Sequence, residues 1–90
     1  MIYYKTKTYD IKIEPYEITR ETAPTVFFFR ENWKGEIEEK SERKFSIYHK
    51  FHKTFTDAKE HLLSLHENRI HDLSLKIDNL KIKLDEIKKL

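Results

Sequence analysis

The chain reads as an α+β protein: a three-stranded antiparallel β-meander over residues 1–54, followed by one long C-terminal α-helix over residues 55–90. Three observations predict this class. From Phe55 to Leu90 there is no Gly and no Pro, and apolar residues recur at alternating steps of three and four, the mark of a helix with one apolar stripe. Upstream, short stretches alternate apolar and polar residues, the period of a half-buried strand. Among them stand Pro15, Pro24 and Gly35, the only Pro and Gly residues of the chain, where strands are expected to bend or stop.

The elements follow in order. Tyr9 to Ile13 alternate and predict a strand; Pro15 interrupts the pattern and Tyr16 and Ile18 resume it, so an edge strand with a bulge or kink near Pro15 is expected. Thr22-Ala23-Pro24 is the next break. Thr25 to Glu31, with Val26-Phe27-Phe28-Phe29, is the most β-prone run, and its apolar residues on both faces predict a central strand covered on each side. Asn32-Trp33-Lys34-Gly35 reads as a turn, and the charged residues 36–42 as an exposed excursion. Arg43 to His52 alternates again, with Phe45, Ile47, His49 and Phe51 on one side and Lys44, Ser46, Tyr48 and Lys50 on the other. Thr54-Phe55-Thr56-Asp57 fits a capping box, with Thr56 as the competing cap.

At 1.5 Å per residue the helix spans roughly 50 Å, about twice the length of a compact 54-residue globule. It must project. Leu63, Ile70, Ile77 and Leu84 occupy one heptad position, Leu73, Leu80 and Ile87 the other, with His66 in the remaining slot. Such a seam predicts a homo-oligomer. In a parallel pair Lys76 would face Lys81 of the second copy, and Lys83 would face Lys88; an antiparallel pair in simple register also sets like charges together. Each such exposed contact costs a few tenths of a kcal/mol, against roughly 1.5–3 kcal/mol for burying a Leu or Ile. Burial wins. Leu75 and Ile82, on the opposite face, favour more than one helix contact. The competing reading is that the sheet covers the first half of the seam and the rest is a solvated tail.

Composition narrows the function classes. Charged residues make up 38% of the chain but the net charge is only +2, which argues against a dedicated nucleic-acid surface. The absence of Cys excludes a disulfide framework, a thiolate metal site and a cysteine nucleophile. No run approaches a membrane span and no apolar leader opens the chain, so a cytoplasmic protein without membrane attachment is expected. His61, His66 and His71 stand five apart and rotate around a helix instead of stacking. His49 lies on the apolar side of its strand and reads as a satisfied core-edge histidine. With no Gly-rich loop and no catalytic triad spacing, neither enzyme activity, a metal nor a cofactor is expected.

One polar constellation stands out. On a strand, Lys44, Ser46, Tyr48 and Lys50 would share a face, and Arg20, Arg30 and Phe28 could join from neighbouring strands. Ammonium groups supply charge for a phosphate, hydroxyls supply directional hydrogen bonds, and rings stack on bases. The expectation is a small anionic ligand bound there; the bland alternative is a solvated sheet face.

The run from Glu42 to Lys59, approximately E-x-K-x-S-x-Y-H-x-(Y/F)-x-x-T-(W/F)-x-(D/E)-A-K, resembles a family of small uncharacterised phage and bacterial proteins whose motif leads into a long charged helix. Glu42, Lys44, Ser46, Tyr48, His49 and Thr54 match; Phe55 stands where Trp is frequent, and the charged insert at residues 32–41 is longer. Arg20-Glu21-Thr22 is similar to an R-E-T step upstream. The resemblance implies a phage protein acting in the host cytoplasm, an anti-defence factor that grips a host protein or a small nucleotide signal; with the polar face, capture of an anionic ligand such as a nucleotide signal is the leading expectation. Its rivals are an adaptor whose helix grips a host or virion protein and, more weakly, a nucleic-acid binder.

Overall fold

Helix α1 runs from Phe55 to Lys88 in the computed structural model, which describes all 90 residues. It begins where the capping pattern places it. Thr54 is extended and its hydroxyl accepts the Asp57 amide at 3.0 Å, satisfying one of the unpaired N–H groups of the first turn. The return bond from Asp57 is not formed, so Thr54 caps alone. Thr54→Ala is expected to lower stability by about 0.5–2 kcal/mol in thermal denaturation, and Thr56→Ala by much less. The reverse order would mean that the helix starts two residues later.

Six strands precede the helix: β1 (Ile2–Lys7), β2 (Ile13–Glu17), β3 (Arg20–Glu21), β4 (Thr25–Glu31), β5 (Ile37–Arg43) and β6 (His49–His52). The α+β class and antiparallel pairing hold, but the single meander is corrected to two three-stranded sheets, ordered β2-β1-β6 and β3-β4-β5. Two corners join them. The chain passes from β2 into β3 without a loop, with the Ile18 amide donating to the Met1 carbonyl at 2.7 Å and the Thr19 amide to Phe27 at 2.9 Å. At the other corner the Phe51 amide donates to the Lys44 carbonyl at 2.8 Å. The result is a small, nearly closed double layer.

Two strands carry no apolar alternation. In β1, Tyr3 and Lys5 face the second sheet while Tyr4 and Thr6 face α1; both faces are covered, and half of the covered side chains are polar. Strand β5 was expected as an exposed excursion. Instead it pairs with β4 along its whole length, from Thr25↔Arg43 to Glu31↔Ile37. The turn between them is the one foreseen at Asn32–Gly35: the Asn32 side chain accepts the Lys34 and Glu36 amides, and Gly35 takes φ +80°, which a side chain would oppose. Strand β2 is an edge strand, yet its register with β1 runs unbroken through Pro15, with no bulge. The segment before it, residues 8–12, is a turn held by the Asp10 carboxylate on the Ile11 and Lys12 amides.

The core lies between the sheets. Tyr16 meets Phe28 and Phe51 edge-to-face at 4.9 and 5.4 Å, with Tyr3, Ile18 and Val26 around them. Strand β4 is covered on one face only: Val26 and Phe28 are buried, whereas Phe29 is exposed. Helix α1 packs on the other face of the first sheet through Ala58, Leu62 and the Tyr4–Phe55 contact. Beyond Arg69 every helical residue is exposed. The molecule accordingly measures 67 × 30 × 21 Å, with a radius of gyration of 19.9 Å, against about 12 Å for a compact chain of this size. No helix is long and apolar enough to cross a membrane.

Candidate functional site

The expected anion face does not form, because its residues are not on one strand. Strand β5 ends at Arg43, residues 44–48 turn, and β6 begins at His49. Ser46 staples that turn: its hydroxyl oxygen accepts the Tyr48 and His49 amides and meets His49 Nδ1 at 3.1 Å. The other ring nitrogen of His49 meets the Arg43 carbonyl at 2.7 Å, so His49 is the satisfied histidine expected of it. The cations have partners of their own. Lys44 Nζ lies 3.0 Å from Glu21, Arg20 pairs with Glu39 at 2.7 Å and stacks over Phe27, and Arg30 donates to the Tyr16 hydroxyl at 2.6 Å. Only Lys50 and the exposed Tyr48 lack a bound counter-group. An anion on Lys44 would first have to displace a carboxylate.

What the sequence did not reveal is the polar seam between the sheets. Lys5, 8% exposed, reaches both oxygens of Glu42 at 3.0 and 2.9 Å. Beside it the Tyr3 hydroxyl donates to Glu21, which also holds Lys44. The hydrogen bond to Glu21 and burial push the Tyr3 phenol up to about 12, while Tyr3 and Lys44 hold the Glu21 carboxyl below its ordinary value. Glu42 and Lys44, two of the motif residues, therefore sit in ion pairs that join β5 and the turn after it to β1 and β3. The partners are 37 and 23 positions apart in sequence, which is why periodicity gives no sign of them.

Two of the concavities along the sheets bear on these residues and on the helix. One, of about 390 Å³, is lined by Lys5, Lys7, Tyr9, Asp10, Tyr48 and His49; it gathers Tyr48 with cations that the strand-face reading did not include. The other, of about 400 Å³, opens at the base of α1 between Ile11, Ile13, Phe55, Lys59, Leu62, Leu63 and His66. It is largely apolar.

Under the helix, His52 is buried, its Nε2 2.9 Å from the Thr6 hydroxyl and its ring 5.0 Å from that of His61. Burial, then the neighbouring His61 and Lys50, hold the His52 imidazole down at about 4; burial and Lys50 lower His61 as well. Asp57 opposes the shift on His52 and is outweighed. Because the folded values lie below the unfolded value near 6.5, this contribution is complete above about pH 6.5. It is lost as pH falls from there toward 4, where the unfolded chain binds protons that the folded one refuses. Melting temperature is expected to drop between about pH 7 and about pH 5; a flat profile would show that the two rings are not held neutral.

The helical seam is the largest unsatisfied surface. The sheet takes up Ala58, Leu62 and part of Leu65, a stripe to one side of the seam, and so leaves Leu63 51% and Ile70 65% exposed. The competing reading, in which the sheet covers the first half of the seam, is thereby corrected. Leu73, Ile77, Leu80, Leu84 and Ile87 are all exposed as well. Comparison of the chain with protein-family models, with curated proteins and with solved structures finds no match.

Proposed function

We propose that this is a non-enzymatic interaction protein whose working surface is α1, and that its first partner is a second copy of itself. The observation that carries this is the exposed seam from Leu63 to Ile87, projecting beyond a globule that covers a different stripe of the helix. Each Leu or Ile on it gives up to about 1.5–3 kcal/mol on full burial. At half that value seven residues per chain still outweigh the charge repulsion across the seam. Native mass measured by light scattering after size exclusion, at micromolar concentration, is expected to be at least twice that of the monomer. A protein that stays monomeric and folded would overturn the proposal.

A second reading, capture of a small anionic ligand such as a nucleotide, has one supporting observation. The concavity that holds Lys7, Tyr9, Tyr48 and His49 combines phenols and an imidazole with Lys5 and Lys7 at the sheet surface, although both lysines are ion-paired, with Glu42 and Glu14, and Asp10 also lines it. Retention of a nucleotide by a stable monomer would move the conclusion there. Under either reading the phage setting implied by the motif gives the protein a target in the host cell.

A further inference from the structure

The self-association proposed above leaves the direction of the second helix open, and the charge pattern along α1 decides it. One flank of the seam carries Glu60, Glu67, Ser74, Lys81 and Lys88 at steps of seven. All five are exposed and none of the four charged groups has an ion-pair partner within the chain. The flank is acidic in its first half and basic in its second. A copy of the same helix laid antiparallel, centred between Leu73 and Ile77, sets Glu60 against Lys88 of the second copy and Glu67 against its Lys81, with Ser74 meeting Ser74 beside the two-fold axis. The same register layers Leu63 on Ile87, Ile70 on Leu80 and Ile77 on Leu73, so the whole seam is used. The one mixed layer is His66 on Leu84.

The like charges expected across an antiparallel pair are thus confined to the opposite flank, Arg69, Lys76 and Lys83. Arg69 is withdrawn from that contact: its guanidinium donates to the Thr8 carbonyl and lies over the Tyr9 ring at 4.8 Å. This leaves one Lys76–Lys76 contact at the axis. A parallel pair has no such relief, since it faces Lys76 with Lys81 and Lys83 with Lys88 and gains no opposite-charge contact.

The groove at the base of α1 gives an independent argument. In the antiparallel register the end of the second helix reaches the level of Lys59 to Leu63, and there Ile11, Ile13, Phe55 and Leu63 line the apolar concavity of about 400 Å³. Ile87 and Leu90 of the second copy enter it. A parallel pair would bring the N-terminal turns of the second α1, with the globule attached to them, to this level and leave both C-terminal tips without a groove.

We infer that the protein forms an antiparallel dimer in which the tip of each α1 docks into the groove beneath the other copy's helix, fixed by Glu60–Lys88 and Glu67–Lys81 pairs. The chain has no Cys, so introduced thiols report geometry directly. Under mild oxidation a mixture of Glu67→Cys and Lys81→Cys chains is expected to give disulfide-linked pairs, and neither variant alone. Leu63→Cys alone is expected to stay unlinked, because the two copies of residue 63 would lie at opposite ends. Lys81→Glu should weaken the dimer about tenfold, since two attractive contacts become repulsive; combining it with Glu67→Lys should restore affinity. Linkage through Leu63→Cys alone, or a dimer tightened by Lys81→Glu, would overturn the antiparallel arrangement while leaving self-association intact. A monomeric mass would overturn both.

Discussion

Replacing Ile77 and Leu80 together by Asp is expected to convert the protein into folded monomers. Both side chains are exposed in the single chain, so the sheets and the docked first turns of α1 lose no contact. In the assembly the same positions lie inside the seam, and each Asp would bury a charge without a partner, a change that costs several kcal/mol per site. The expected result is a native mass that falls to the monomer value. The near-ultraviolet signal of the aromatic core should persist, and only the projecting turns should fray, because Asp is a poorer helix former than Leu or Ile. An unchanged mass would show that the seam is not the assembly surface. A lost aromatic signal would show that the globule needs its partner to fold.

Phe28→Ala is expected to be the most damaging single change in the globule. Phe28 is buried between the sheets and meets Tyr16 edge-to-face at 4.9 Å. Removing it forfeits both the transfer term and the contacts around the cavity, about 3–5 kcal/mol for a Phe in a core. Small domains hold a margin of only about 5–15 kcal/mol, so the melting temperature should fall by roughly 15 °C or more. Phe29→Ala, one position along β4 and exposed, should shift it by little. Equal losses at the two positions would contradict the assignment of β4's buried face.

The candidate site was legible to the extent that it depended on one helix. The projecting seam and the flank charges follow from positions seven apart, so the surface on which the functional proposal rests is written in the sequence. The anion face was not legible because it assumed that residues 43–52 form one strand. Ser46 instead closes a turn on the Tyr48 and His49 amides, so Lys44, Ser46, Tyr48 and Lys50 do not alternate along one strand face. Nor does composition reveal that Lys44 is spent on Glu21.

By itself the sequence determined the helix, its start at Thr54, its exposed stripe, the edge position of β2, the turn at Gly35 and the strand at Thr25–Glu31. Each depends on neighbours within a few positions, whose propensities and spacing act before any tertiary contact forms. Tertiary structure alone decided that β1 is a central strand, that the charged stretch Ile37–Arg43 is β5, and that two sheets take the place of one meander. Lys5, Thr6 and His52 can be buried because the fold supplies their partners, Glu42 to Lys5 across 37 positions and Thr6 and His52 to each other across 46. A buried polar group is stable when its partner is supplied, and that partner is a property of the fold, not of the local pattern. The same holds for the groove beneath α1, where Ile11 and Ile13 meet Leu63 only after the sheet has carried them to the helix.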